Sequence, residues 1–363
     1  MPQATSAHSK TARVQGSRLR AQKSPKPLTL GVIGCGHWGP NHLRNFSVLD
    51  GVTVASCADL SEERLQVVKR HYPMVKRCRD YRDILADPDV TAVVVTTPAA
   101  SHARIVKESL ERGKDVLCEK PLALSSRDAE ELARLAEARG RILMVGHTFL
   151  FNAGIQQLRA YAAEGLLGRI HYLHSTRTNL GPIRDDTNVV WDLASHDVSI
   201  FSYLLGSQPS VVTAKGGSFL RKGLEDVAFI SLSYPQNVLA HIQVSWIHPQ
   251  KVRSITMVGD QKMVVWDDLN NLEPIKIYDK GVTQEPYYES YGEFHLLLRE
   301  GDVVMPKLHL VEPLKRQSEH FIACVASRSP SISDGRFGLS VVRVLEAIEE
   351  SMKRGGAPQE IAA

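Results

Sequence analysis

Leu28-Thr29-Leu30-Gly31-Val32-Ile33-Gly34-Cys35-Gly36-His37-Trp38-Gly39 joins a short apolar run to a G-x-G-x-x-G string. The first six residues read as a buried strand, and an amphipathic stretch over 38–47 follows as a helix. In a strand–loop–helix unit each glycine has a separate task. Gly34 permits the tight turn, Gly36 lets a pyrophosphate approach the backbone, and Gly39 lets helix and strand pack closely. The helix N-terminus adds N–H donors and a positive dipole end. Such a string is weak alone; its place between strand and helix makes it a dinucleotide site.

Outward from it the pattern repeats. Strand-like runs rich in Val, Ile and Leu occur at 28–33, 52–58, 90–96, 115–118 and 142–146. Helical patterns lie between them near 38–47, 61–71, 101–112 and 126–139, the last opened by Ser125 with Asp128 and closed at Gly140. Runs such as Val93-Val94-Val95 suit strands buried on both faces. The alternation predicts a doubly wound parallel Rossmann domain over 28–148. After 150 the rhythm changes. Strands at 169–178, 210–219, 226–234, 238–247, 252–258, 262–267 and 275–279 follow across short turns, interrupted by one strong helix at about 191–205. They predict an α+β domain over 149–354 with a large, mostly antiparallel, open-faced sheet. Residues 282–310 read as a long loop, and helices near 314–327 and 338–353 close the chain before a tail at 355–363.

The 363 residues are 43% hydrophobic and 23% charged, an ordinary composition for a chain that builds sizeable cores. No run approaches the ~18 uninterrupted apolar residues of a membrane span. Residues 1–27 carry six Lys or Arg and no acid, and read as a disordered basic extension or a misassigned start. They also have the Arg, Ser and Ala bias of an organelle transit peptide. Without them 38 of the 44 basic residues face 40 acids, so the body stands at −2 and no general nucleic-acid surface is expected. Cys35, Cys57, Cys78, Cys118 and Cys324 form no C-x-x-C pair. That excludes a disulfide framework or a thiolate zinc site and suits the cytoplasm.

Asp59 ends the second strand about 20 residues beyond the glycines, where an acid accepts from both adenosine ribose hydroxyls and repels a 2′-phosphate. No Arg follows until Arg64, so NAD is expected over NADP; Asp59 also suits capping of the helix starting at Ser61. Two further strands end at Thr96-Thr97-Pro98, with His102 beyond, and at Cys118-Glu119-Lys120-Pro121. Both endings lie at the carboxyl edge of the sheet, where such folds bind ligands. Lys120 there is cofactor-facing, substrate-facing or solvated. In Trp191-Asp192-Leu193-Ala194-Ser195-His196, Asp192 and His196 stand four apart on one helix face. Opposite runs the apolar stripe Ala194, Val198, Phe201 and Leu205, so the pair faces a cleft or solvent. An exposed helical ion pair is the plainer reading, and no third ligand is spaced to complete a metal site. His147 and Asn152 follow the last Rossmann strand and are candidates to line the cleft. His171 and His174, an odd number apart on a strand, point to opposite faces. Cys35 reads as a small residue the loop tolerates.

The ordered set of glycine loop, Thr97-Pro98 with His102, Glu119-Lys120-Pro121 and Asp192-x-x-x-His196 resembles the glucose–fructose oxidoreductase / inositol dehydrogenase / rhizopine-catabolism family (Gfo/Idh/MocA). The resemblance runs from about 28 to about 350. It implies an active site between the two domains, with Lys120 and His196 facing substrate and Asp192 assisting. It assigns Gly34, Gly36, His37, Trp38, Gly39, Asp59, Thr97, Pro98, His102, Glu119 and Lys120 to an NAD site without a metal. Members of the family often form homodimers or homotetramers through the outer face of the second sheet. One departure bears on the substrate: Val189-Val190 stands where a glycine pair often precedes the Asp.

The expected reaction moves a hydride between a secondary alcohol of a sugar and nicotinamide. His196, with an ordinary pKa near ~6.5, accepts the hydroxyl proton while Lys120 stabilises the alkoxide; the reverse assignment stays open. Thr176-Arg177-Thr178-Asn179-Leu180-Gly181 and the Trp191–His196 segment resemble members that oxidise nucleotide sugars such as UDP-N-acetylglucosamine at carbon 3. Arg177 and Arg184 flank the helix as forks for a diphosphate. The alternatives are an inositol or free-sugar dehydrogenase and a non-catalytic NAD-binding protein.

Overall fold

The structure, a computed structural model, describes residues 28–286 and 294–362. The basic segment at 1–27 lies outside the described residues.

Six parallel strands form the first sheet: β1 (Leu28–Ile33), β2 (Val52–Ala58), β3 (Lys76–Cys78), β4 (Ala92–Val95), β5 (Asp115–Glu119) and β6 (Leu143–Gly146). Their order is β3-β2-β1-β4-β5-β6. The chain therefore reverses direction across the sheet between β1 and β4, and a crevice opens at their carboxyl ends. Every residue of β4 and β5 is buried, as continuous apolar strands covered on both faces require. The covering helices are α1 (Gly39–Ser47), α2 (Glu62–His71), the short α3 (Arg82–Ala86), α4 (His102–Glu111) and α5 (Ser126–Ala138). Ser125 caps α5 by accepting from the Asp128 N–H at 3.1 Å.

The second domain starts with α6 (Ala153–Ala163) and β7 (Ile170–Leu180), continues through a π-turn (Val190–Ala194) into α7 (Ser195–Leu205), and then lays down strands. These are β8 (Val211–Gly217), β9 (Val227–Tyr234), β10 (Val238–Ser245), β11 (Ile247–Gly259), β12 (Met263–Asp267) and β13 (Ile275–Tyr278). Their alternation is regular: Ala228, Ile230, Leu232 and Tyr234 of β9 are buried, while Phe229 and Ser231 face outward. The sheet has nine strands and is antiparallel except where β10 lies parallel to β7. Helices cover one face; the other presents Tyr172, Phe229 and Leu239 around the stacked rings of His174 and His241.

Three expectations are corrected. The stretch 282–310 is not a plain loop: β14 (Gly281–Pro286) pairs with β15 (Phe294–Arg299), and β16 (Val303–Val304) joins the large sheet beside β13. Helix α6 follows Asn152, where no helix was expected. The last residues are not a free tail, because β17 (Gln359–Glu360) adds to the edge at β8.

The closing helices also return to the first domain. In α8 (Pro313–Ser327), Phe321 packs edge-on against Phe46 of α1. Helix α9 (Gly335–Lys353) lies along α5, and Arg328 forks onto Asp115 of β5 at 2.7 and 3.0 Å. The two domains are thus joined at 147–152 and again through α8 and α9, which fixes the cleft between them.

Candidate active site

The nucleotide half is built by the glycine loop. Gly34 has φ +100°, and a Cβ there would stand 2.8 Å from the Thr96 carbonyl carbon. At Gly39 a Cβ would lie 2.1 Å from the Gly34 carbonyl oxygen, so only glycine lets α1 start this close to β1. Thr96, which sequence reasoning passed over, locks the turn by donating its hydroxyl to the Gly34 carbonyl at 2.6 Å. Gly36 meets only the Arg64 guanidinium, at 3.6 Å, and otherwise faces open space. Asp59 accepts from the Cys35 N–H at 2.7 Å and the Ser61 N–H at 2.8 Å. It therefore ties loop to strand end with lone pairs left for ribose hydroxyls. The helix cap itself is Ser61. These features fit a dinucleotide, and Gly34, Gly36, His37, Trp38, Asp59, Thr97 and Pro98 all line one cleft of about 750 Å³. Its outer end is framed by Arg64, weighed above for the cofactor choice, and by Arg79, Tyr81 and Arg104, which were not singled out from sequence. Pro182, Arg184, Asp192 and Arg253 of the second domain close its inner end.

At that inner end Lys120 and Asp192, 72 residues apart, come together. The Lys120 ammonium donates to the Asp192 main-chain carbonyl at 2.7 Å and stands 3.5 Å from its carboxylate Oδ1. Burial lowers the Lys120 pKa, and the Asp192 charge opposes that shift. The π-turn makes the contact possible. The Ser195 N–H reaches back five residues to the Val190 carbonyl, and the Asn188 side chain accepts from the N–H groups of Val190 and Trp191, both at 3.2 Å. One extra residue in the turn re-aims Asp192. Its other oxygen, Oδ2, accepts from the Trp246 indole N–H at 3.2 Å, and Arg184 approaches Oδ1 at 3.7 Å. Asp192 thus serves Lys120; its side chain makes no hydrogen bond to His196 among the described residues.

His196 lies in the first turn of α7 with its ring edge-on to Phe149, centroids 4.9 Å apart. Burial first, then the charges of Lys120, Arg177, His147 and Arg253, hold its pKa well below the usual histidine range. The imidazole is therefore neutral at neutral pH. His147 is buried, with neither ring nitrogen hydrogen-bonded among the described residues. Burial and the Lys120 charge push its pKa down to about 3.

Other expected site residues lie elsewhere. His102 is buried behind the cleft, its ring nitrogens 2.8 Å from the Thr97 carbonyl and 2.7 Å from the Pro121 carbonyl, so it staples two strand ends. Glu119 turns away to His42 of α1 at 2.8 Å. Asn152 caps α6 and donates to Asp268, which pairs with Arg253; it acts at one remove from the cleft. Arg177 is corrected outright: it is buried, forked onto Asp197 at 2.8 and 3.0 Å, and cannot hold a diphosphate. Arg184 does line the cleft, although its fork already grips Asp186 at 2.9 and 2.8 Å. Arg253 and Trp246 were missed; a strand arginine and an apolar residue in register carry no local signal of a site. Among the described residues no three His, Cys, Asp or Glu are placed to hold a metal ion, and no helix is long and apolar enough to cross a membrane.

A Rossmann crevice whose inner end carries a lysine, a carboxylate and a neutral imidazole from a second sheet domain defines a nicotinamide-dependent oxidoreductase. Residues 28–147 match the GFO/IDH/MocA oxidoreductase family with its NAD-binding Rossmann fold, and residues 155–265 match the GFO/IDH/MocA C-terminal domain. The chain belongs to this family of NAD-binding oxidoreductases. It is 26% identical to the UDP-N-acetylglucosamine 3-dehydrogenase of Acidithiobacillus ferrooxidans over 335 residues, 90% of this chain and 99% of that protein. It is 27% identical to the myo-inositol 2-dehydrogenase of Thermotoga maritima over 228 residues, 60% of this chain and 68% of that one. Among solved structures, the oxidoreductase domain protein of Kribbella flavida superposes with TM-score 0.81 at 20% identity, covering 93% of this chain and all of that one. That likeness establishes the fold alone.

Proposed function

We propose that the protein oxidises a secondary alcohol of a nucleotide sugar, with UDP-N-acetylglucosamine at carbon 3 as the leading substrate, using NAD. Bound nicotinamide would supply the hydride acceptor at the inner end of the cleft. Lys120 donates a hydrogen bond to the alcohol oxygen and stabilises the charge that develops there. His196, neutral because burial and cations disfavour its charged form, accepts the hydroxyl proton. Its weak hold on that proton favours release after turnover. Asp192 keeps Lys120 in its ammonium form and aimed at the oxygen. His147, beside Lys120, is a candidate to meet the sugar.

The nucleotide-sugar assignment is carried by Arg184 and Arg253, two cations on the inner cleft wall. End-to-end similarity to a nucleotide-sugar dehydrogenase supports it. A neutral polyol such as inositol is the second reading. It is favoured by the pairing of Arg184 with Asp186 and of Arg253 with Asp268, which leaves the wall nearly neutral. NAD over NADP is supported by the Asp59 carboxylate at the end of β2, whose charge would repel a 2′-phosphate, although Arg64 stands 3.6 Å from it.

One experiment tests all three parts. UDP-N-acetylglucosamine is expected to give the higher kcat/KM, Arg184→Ala to lower that value by about 10-fold, and NAD to bind more tightly than NADP in side-by-side titrations. A preference for myo-inositol indifferent to Arg184→Ala sinks the nucleotide sugar and leaves the dehydrogenase. Tighter binding of NADP overturns the cofactor choice.

The outer face of the large sheet, with Tyr172, Phe229 and Leu239 each about half exposed, supports a homodimer or homotetramer built on it. Light scattering is expected to give a multiple of the 40.2 kDa chain, and Leu239→Asp to lower it. A wild-type monomer at micromolar concentration would exclude this assembly. Five buried free cysteines support a cytoplasmic setting.

A further inference from the structure

Trp246 is one of the largest fully buried side chains, and it lies in the single-residue step between β10 and β11. Its backbone is held on both sides: the N–H donates to the Asp226 carbonyl, and the carbonyl accepts from the Gly181 N–H, each at 2.9 Å. The ring therefore has a fixed aim. Its one polar atom, the indole N–H, is spent on Asp192 Oδ2 at 3.2 Å.

The consequence falls on Lys120. Asp192 has two carboxylate oxygens and three cationic or N–H neighbours. Trp246 takes Oδ2, which leaves Oδ1 for the Lys120 ammonium at 3.5 Å and the Arg184 guanidinium at 3.7 Å. Without the indole N–H the carboxylate is free to turn about its own bond, and the more exposed Arg184 competes for it.

We propose that Trp246 is a positioning residue for the Lys120–Asp192 pair, its indole N–H holding one carboxylate oxygen so that the other faces the lysine. The proposal rests on the reading of Lys120 and Asp192 as reaction machinery. It adds a buried residue that is not among those lining the cleft.

The groups acting on Lys120 are few. Glu119 adjoins it in the chain, Asp192 comes from the π-turn, Arg184 and Asp186 from the loop after β7, His196 from α7, and His147 from the end of β6. Both histidines are held neutral. Asp192 is the carboxylate nearest the ammonium that a loss of Trp246 would release. With the carboxylate turned away, burial lowers the Lys120 pKa further, so the inflection it contributes moves to lower pH whichever protonation state is active.

The test is Trp246→Phe beside Asp192→Asn, read as kcat, KM, NAD affinity by fluorescence titration, and the pH profile of kcat/KM. Trp246→Phe is expected to lower kcat by about 10-fold with KM and NAD affinity within about 2-fold, and to move the inflection down by about half a pH unit or more. Asp192→Asn should move it further the same way. If Asp192→Asn is impaired while Trp246→Phe matches wild type in kcat and in profile, the positioning role is wrong. If Asp192→Asn is itself silent, the underlying reading of the Lys120–Asp192 pair fails. Should Trp246→Phe not fold, 3-benzothienylalanine at position 246 keeps the bicyclic shape and lacks only the N–H; the same two outcomes decide.

Discussion

Lys120→Ala and His196→Ala are each expected to lower kcat by about 100-fold or more, the scale of a positioned acid–base or alkoxide-stabilising group. The two losses have different causes. Removing Lys120 takes away the ammonium that faces Asp192 and leaves that carboxylate with Arg184 and the Trp246 indole N–H. Lys120→Arg should recover little, because a planar fork cannot keep both the 2.7 Å contact to the Asp192 carbonyl and a donor for substrate. Removing His196 deletes the proposed proton acceptor while the Rossmann domain stays whole, so NAD affinity should change by less than about 3-fold. The sign of the pH dependence also follows. The acceptor must be unprotonated, and its pKa is held well below 6.5, so wild-type activity should persist as pH falls through 6.5 and be lost only well below it. Wild-type turnover in both alanine variants would refute the catalytic assignment. An acid limb centred near 6.5 would show that His196 titrates like a solvent-exposed histidine.

The first domain was readable because its signals are local. Strand β1, the glycine spacing and Asp59 all lie within about thirty residues, and each answers to a steric or hydrogen-bonding need of that one turn. The strands of the second domain were readable for the same reason, since alternation is a property of neighbours. Their arrangement was not: nothing in β7 or β10 announces that they pair in parallel, Tyr172 opposite Leu239 and Thr178 opposite Ser245. Helix α6 escaped because only Gly154, Ile155 and Leu158 of its eleven residues are buried, too narrow a stripe to mark a period. The hairpin of β14 and β15 escaped because its strands pair only with each other, in a two-stranded sheet apart from the nine-stranded one. In the active site, the Asp192–His196 spacing put the two on one helix face, toward a cleft or solvent, and did not give the partner of Asp192. A regular helix would set the two on one face. The π-turn instead sends Asp192 to Lys120, a change of one residue in hydrogen-bond register that no spacing rule registers.

Arg177→Met should lower stability by about 3–5 kcal/mol, because it strands a buried charge. Arg177 and Asp197 have side-chain exposures of 4% and 1%, and their two hydrogen bonds make one bidentate pair inside the second domain. The methionine fills much of the space, yet the Asp197 carboxylate is left without a counter-charge or a route to water. A melting temperature lower by about 6–12 °C or more is the expected reading, taking the low end of that cost for a domain of this size. The arginine also lies over Phe149, 4.4 Å from the ring centre, and Phe149 packs on His196, so some activity should fall with it. The double variant Arg177→Met/Asp197→Leu separates charge from shape. With both charges gone it should recover most of the lost stability, because an apolar pair of similar volume removes the desolvation penalty that the lone carboxylate suffers. If Arg177→Met instead melts with the wild type and raises KM for a nucleotide sugar, the arginine faces substrate and the buried ion pair does not form.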